Sequence, residues 1–141
     1  MLNSARERCP DPSRTARDRW LQTLPSDHDC ERGLARRIAC GSDGTGAGLA
    51  DAKEAIRALR ETLEPKLRTE AEAILPGLDK QGDHELAARA RREHATLRAL
   101  LHEATADAAR PVLRTLADLL EQYLCFEDQL LRKAVESHSQ R

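Results

Sequence analysis

Apolar residues recur at alternating steps of three and four along three stretches of the chain, the spacing that lines one face of an α-helix. From Pro111 to about Glu136 the stepping gives Leu113, Leu116, Leu120, Tyr123, Glu127, Leu130 and Ala134. Earlier it gives Leu49, Ala52, Ile56, Leu59, Leu63, Lys66, Glu70 and Ala73, with Ile74 beside the last. Between these two lies Leu86, Ala90, His94, Leu97, Leu101 and Ala104. Each stripe carries polar groups where a packed seam should be apolar: Lys66 and Glu70, His94, and Tyr123 and Glu127. Residues four apart differ by about 40° around a helix, so Lys66 and Glu70 share one inward face, as do Tyr123 and Glu127. An ionised carboxylate in a core is costly unless something pairs with it, so the pattern predicts that these groups meet.

A fourth helix, first in chain order, is predicted to begin at Ser26, after Pro25, with Asp29 adding negative charge to its first turn, and to stop at Gly41. Leu34, Ala35 and Ile38 form its stripe. Stepping back from them reaches Glu31 and then Asp27 or His28, while a stripe of Cys30, Leu34 and Ile38 is equally legal, so the register stays open. The glycines of GSDGTGAG, residues 41 to 48, resemble a phosphate loop superficially, but no G-K-[ST] follows and no strand precedes, so a flexible link is expected. Pro65 should kink the second helix, and Pro76 with Gly77 should end it. Asp83 should cap the third helix, and Asp107 to Pro111 should separate it from the fourth. Four helices joined by short links imply an all-α, antiparallel up-down four-helix bundle. Residues 1–19 alternate charges and turn formers without period and are expected to be disordered, leaving the bundle to residues 20–141.

Composition narrows the picture. At 141 residues the chain suits one domain. Its aromatics are Trp20, Tyr123 and Phe126, so the core must be built from Leu and Ala, which favours helices over sheets. A net charge of -1 with interspersed signs argues against a nucleic-acid or anionic-membrane partner. Apolar runs are short and no signal-peptide pattern opens the sequence, so a soluble, cytoplasmic protein is expected. Cys9, Cys30, Cys40 and Cys125 form no C-x-x-C pair. Cys30 and Cys40 on one helix would stand about 15 Å apart, beyond disulfide reach, so all four are expected to be free thiols, buried or half-buried as small hydrophobes. His84, His102 and His138 fall off the seams and are expected in solvent or at caps.

The segments KLRTEAEAILP, from Lys66 to Pro76, GDHELAARARREHATLRALL and LADLLEQYLCFEDQLL resemble the hemerythrin-like, or HHE cation-binding, family, and SDHDCERGLARRI resembles that family's first helix. The resemblance spans roughly residues 24 to 136. It implies a four-helix bundle around non-haem iron, one or two ions, held by inward histidines and carboxylates, with His-x-x-x-Glu on the second and fourth helices. Residue by residue, Glu70, His94 and Glu127 stand at ligand positions and His28 is implied as a fourth, although the first helix aligns loosely and leaves Asp29 or Cys30 open for that place. Lys66 and Tyr123 stand where the family has histidines.

Two functions from different classes follow. In the first, His28, Glu70, His94 and Glu127, with Tyr123 as an added oxygen ligand, hold iron, manganese or zinc for sensing, storage or stress response. In the second, a Lys66 salt bridge to Glu70 or Glu127 neutralises an acid without any ion, and the bundle serves as an interaction or regulatory module whose protein partner the sequence does not name. The depleted ligand set argues against reversible oxygen carriage. It argues against an enzyme too, because di-iron oxidation needs two bridged ions.

Overall fold

The structure, a computed structural model, describes residues 12–43 and 46–139, with side chains over 16–23, 27–43 and 46–136. Among the described residues five α-helices run in order: α1 Pro12–Ser42, α2 Gly46–Thr69, α3 Leu75–Lys80, α4 His84–Ala106 and α5 Arg110–Ser139. A single π-helical turn, Glu70–Ile74, joins α2 to α3 without a break, so the five helices build four rods. No strand occurs among the described residues. α1 packs against α2 and α5, and α4 closes the ring against α5 and the second rod. The expected all-α four-helix bundle is therefore the fold.

The stripes are the core. On α5 all seven seam positions are buried, from Leu113 to Ala134. On the second rod Ala52 through Glu70 are buried, with Leu49 and Ala73 half-buried at the two ends. On α4 Ala90, His94, Leu97, Leu101 and Ala104 are buried. Leu and Ala supply most of this interior, as the shortage of aromatics requires.

Three boundaries differ from expectation. α1 starts at Pro12, not Ser26, and runs through Pro25 with the loss of one backbone hydrogen bond. Its extra turns bury Trp20 at 3% exposure, which gives the helix an apolar reason to continue. Residues 12–19, expected loose, are thus helical, while residues 1–11 lie outside those described. At the glycine-rich link, α1 extends to Ser42 and α2 resumes at Gly46. A Cβ on Gly41 would sit 2.3 Å from the Ala52 Cβ, so glycine here lets the two helices cross closely.

The third difference is the second rod's end. Pro76 and Gly77 do not stop it; α3 carries on to Lys80, and the chain turns at Gly82, whose φ of 91° is open to glycine. The π turn explains this. Lys66, Glu70, Ile74 and Leu78 are spaced by four, and all are buried. In a regular α-helix each such step drifts about 40°, which would carry the later residues off the seam. The wider turn absorbs that drift, with the Leu75 N–H bonding back to the Glu70 carbonyl. Pro76 then falls in the first turn of α3, where its missing N–H is tolerated. Asp83 holds the N-cap position of α4, although its side chain makes no cap bond.

Candidate functional site

The stripes deliver their polar residues to one buried cluster at mid-bundle. His28 and Glu31 come from α1, Lys66 from α2, Glu70 from the start of the π turn, His94 from α4, and Tyr123 and Glu127 from α5; every one is buried. The open register of α1 is resolved by packing: His28 and Glu31 face inward and Cys30 faces solvent.

Two hydrogen-bonded groups share this space. In the first, the Lys66 ammonium donates to Glu31 Oε2 and, at 2.7 Å, to Glu127 Oε1. The same Glu127 oxygen lies 2.9 Å from His28 Nε2, while His28 Nδ1 stands 3.4 Å from the half-exposed Asp128 carboxylate. In the second, Glu70 collects three partners: Trp20 Nε1 donates to Oε2 at 3.0 Å, His94 Nε2 lies 2.9 Å from Oε1, and the Tyr123 hydroxyl donates to that Oε1. His94 Nε2 is also 2.8 Å from the Tyr123 oxygen. Since the single phenolic hydrogen goes to Glu70, we assign the hydrogen of neutral His94 to Nε2, facing both oxygens.

Electrostatics follow from burial. Three carboxyls, Glu31, Glu70 and Glu127, face the one ammonium of Lys66. Burial opposes charge on Lys66, but Glu127, Glu31 and Glu70 together outweigh it and raise the ammonium's pKa above the usual lysine value. Burial also raises the Glu31 carboxyl, and Lys66 offsets this only in part. On Glu127, burial and then the Glu70 carboxylate push the pKa up to about 7, against the pull of His28 and Lys66. Burial, then the Arg98 cation, pushes His94 down to about 4, so the ring is neutral at pH 7. Burial and Glu70 raise the Tyr123 phenol well above its ordinary range, so it remains a donor.

Of the sequence-derived ligand candidates, the cluster brings together all five: His28, Glu70, His94, Tyr123 and Glu127. Sequence reasoning weighed Glu31 without choosing it and missed Trp20 altogether. Its signal is the stepping 20, 24, 28, 31, 35 and 38, which keeps one helical face but lies partly before the helix start expected at Ser26. Lys66 pairs with Glu127, one of its two expected acids, and with Glu31; Glu70 is held instead by Trp20, His94 and Tyr123. His84 and His102 are exposed, as expected, and His138 lies outside the described side chains. Cys30, Cys40 and Cys125 are free but exposed, contrary to the buried expectation, because each faces outward from its helix. Cys9 lies outside the described residues.

An all-α bundle with inward histidines and carboxylates on facing helices defines a class of proteins that build metal centres in their cores. The hemerythrin HHE cation binding domain matches residues 21–135, and the chain belongs to that family. No curated protein and no solved structure matches it.

The donor set as arranged does not fit a cation. Lys66 Nζ already bridges Glu31 and Glu127, and an ammonium in contact with both carboxylates repels a metal ion from the same place. Both Glu70 oxygens are engaged by N–H and O–H donors, which a metal would have to displace. Among the described residues no group of three or more His, Cys, Asp or Glu side chains is disposed to hold a metal. Acceptor capacity does remain: Glu31 Oε1 and Glu127 Oε2 are buried without a hydrogen-bond partner.

Proposed function

We propose that this chain is a metal-independent member of the hemerythrin HHE family, in which Lys66 serves as a built-in cation and the bundle works as an interaction or regulatory module. The observation that carries this reading is the Lys66 ammonium lying between Glu31 and Glu127, one helical turn before Glu70. An ammonium there supplies the positive charge that buried carboxylates require and does so without dissociating. No helix among the described residues is long and apolar enough to cross a membrane. The exposed free thiols Cys30, Cys40 and Cys125 support a reducing compartment such as the cytoplasm.

A second reading is favoured by the unpartnered oxygens of Glu31 and Glu127: a cation held by His28, Glu70, His94, Tyr123 and Glu127 after Lys66 withdraws. Iron is the ion that family membership suggests for it. Elemental analysis of protein purified without chelator, with a visible spectrum and melts in the presence and absence of a chelator, tests the choice. Metal-independent stability and substoichiometric metal support the first reading. One ion per chain, with a melting temperature that falls on chelation, overturns it.

A further inference from the structure

A groove separates α2 from α4 on the outer side of the bundle. One hollow of about 520 Å³ lies over Leu101 and is walled by Arg57, Arg60, Arg98 and His102. A second, of about 310 Å³, begins at the same Arg57 and Arg60 and runs over Ile56 and Ala104 towards Lys53. The two arginines therefore stand where the hollows join.

Charge in this groove is not balanced from within. Arg98 is committed to Glu64, with its Nε 3.1 Å from the carboxylate. That leaves Lys53, Arg57 and Arg60 against the two acids Glu61 and Asp107, and neither guanidinium has a hydrogen-bond or ion-pair partner among the described residues. His102 is exposed beside them, also without a partner there. The two guanidiniums sit at adjoining turns of one helix, and each presents a planar fork of donors that matches an oxyanion. The floor is apolar, with Ile56, Leu101 and Ala104 all buried. Hollows of this size are on the scale of small-molecule sites.

We propose that this groove binds a small organic anion: a phosphate monoester whose oxygens meet Arg57 and Arg60 and whose apolar stem lies over Leu101. The site is independent of the reading given to the Lys66 cluster. Calorimetric titration of the full chain with hexyl phosphate, inorganic phosphate and hexanol tests it, alongside the double variant Arg57→Gln with Arg60→Gln and the control Arg110→Gln with Arg132→Gln. Hexyl phosphate should bind at one site at least tenfold tighter than inorganic phosphate, and hexanol should not saturate. The groove variant should lose at least tenfold in affinity while its melting temperature stays near the parent's, and the control should bind like the parent. Absence of saturable binding by hexyl phosphate would overturn the proposal, as would equal weakening in both variants or parent-like binding by the groove variant.

Discussion

Lys66 Nζ and Glu127 Oε1 are 2.7 Å apart in the middle of the bundle, with the side chains 4% and 0% exposed. They come from α2 and α5, and Glu31 of α1 holds the same ammonium from a third side. A pair that joined only two helices would fail when either partner was removed. Here the ammonium serves two acids, so its loss and the loss of one acid are unequal events.

Replacing Lys66 by Met should therefore cost more than replacing Glu127 by Leu. The first change leaves Glu31, Glu70 and Glu127 without a counter-charge and should destabilise by about 3 to 5 kcal/mol. The second leaves Lys66 paired with Glu31 and removes a like charge beside Glu70, so its cost should stay below about 2 kcal/mol. Denaturant melts of both variants and of the double variant decide it, because coupling between the sites appears as non-additivity. Equal costs for the two single changes would mean that Glu31 does not share the ammonium.

Stability should be insensitive to pH across the range where two buried groups oppose each other. The Glu127 pKa is raised from 4.5 to about 7, so its contribution is full below pH 4.5 and is lost as pH rises to 7. The His94 pKa is lowered from 6.5 to about 4, so its contribution is full above pH 6.5 and is lost as pH falls to 4. Each is worth on the order of 3 kcal/mol, and between pH 4.5 and 6.5 the two slopes cancel. Glu31, raised as well, adds to the falling side. The parent's melting temperature should thus be level or fall gently across that window, whereas Glu127→Gln should unmask a rise with pH. A parent curve climbing as steeply as the variant's would show that Glu127 holds no such proton.

The seams of α2, α4 and α5 were legible in the sequence because each is a long run in one helical phase, and the inward polar residues kept that phase. Asp107 to Pro111 was legible for the same reason, as a gap between two phases. Prolines mislead where burial or a local turn lets the helix continue past them. Pro25 reads as lying just before a helix start and Pro76 as a helix stop, yet burial of Trp20 outweighs one missing hydrogen bond, and the π turn places Pro76 in the first turn of α3, where a missing N–H is tolerated. The partner of Lys66 could not be chosen from spacing alone. Lys66 and Glu70 are near neighbours on one helix, but the ammonium reaches across to Glu31 and Glu127 because Glu70 is already occupied.

Trp20 is the chain's one tryptophan, so its fluorescence reports on the Glu70 end of the cluster. Trp20→Phe keeps most of the apolar volume and removes the donor to Glu70 Oε2. A buried carboxylate oxygen deprived of its donor should cost about 1 to 3 kcal/mol. Chemical denaturation followed by circular dichroism measures this. A change within experimental error would show that solvent or another group replaces the indole.

Gly41 offers a test of the α1–α2 crossing that leaves the polar cluster untouched. The Cβ of an alanine there would fall 2.3 Å from the Ala52 Cβ and 3.0 Å from the Gly48 carbonyl oxygen, so the helices must part. Gly41→Ala should destabilise by about 1 to 3 kcal/mol despite its better helix propensity. Adding Ala52→Gly should recover part of the loss. A stabilised single variant would place the crossing elsewhere.

Two substitutions should rebuild the family's cation site in this bundle. Lys66 precedes Glu70 by one turn, and Tyr123 precedes Glu127 by one turn, so Lys66→His with Tyr123→His creates His-x-x-x-Glu on both the second and fourth helices. The first change also removes the ammonium bridging Glu31 and Glu127, freeing both carboxylates, and neutral imidazole is a good ligand near pH 7. His28 and His94 already face the same space. The double variant should bind ferrous ion at least tenfold more tightly than the parent in anaerobic titration, and its melting temperature should rise with metal concentration while the parent's does not. Tyr123→His alone should gain much less, because Lys66 still repels the ion. If the double variant folds yet binds iron no better than the parent, Lys66 is not what keeps a cation out, and the built-in-cation reading fails with it.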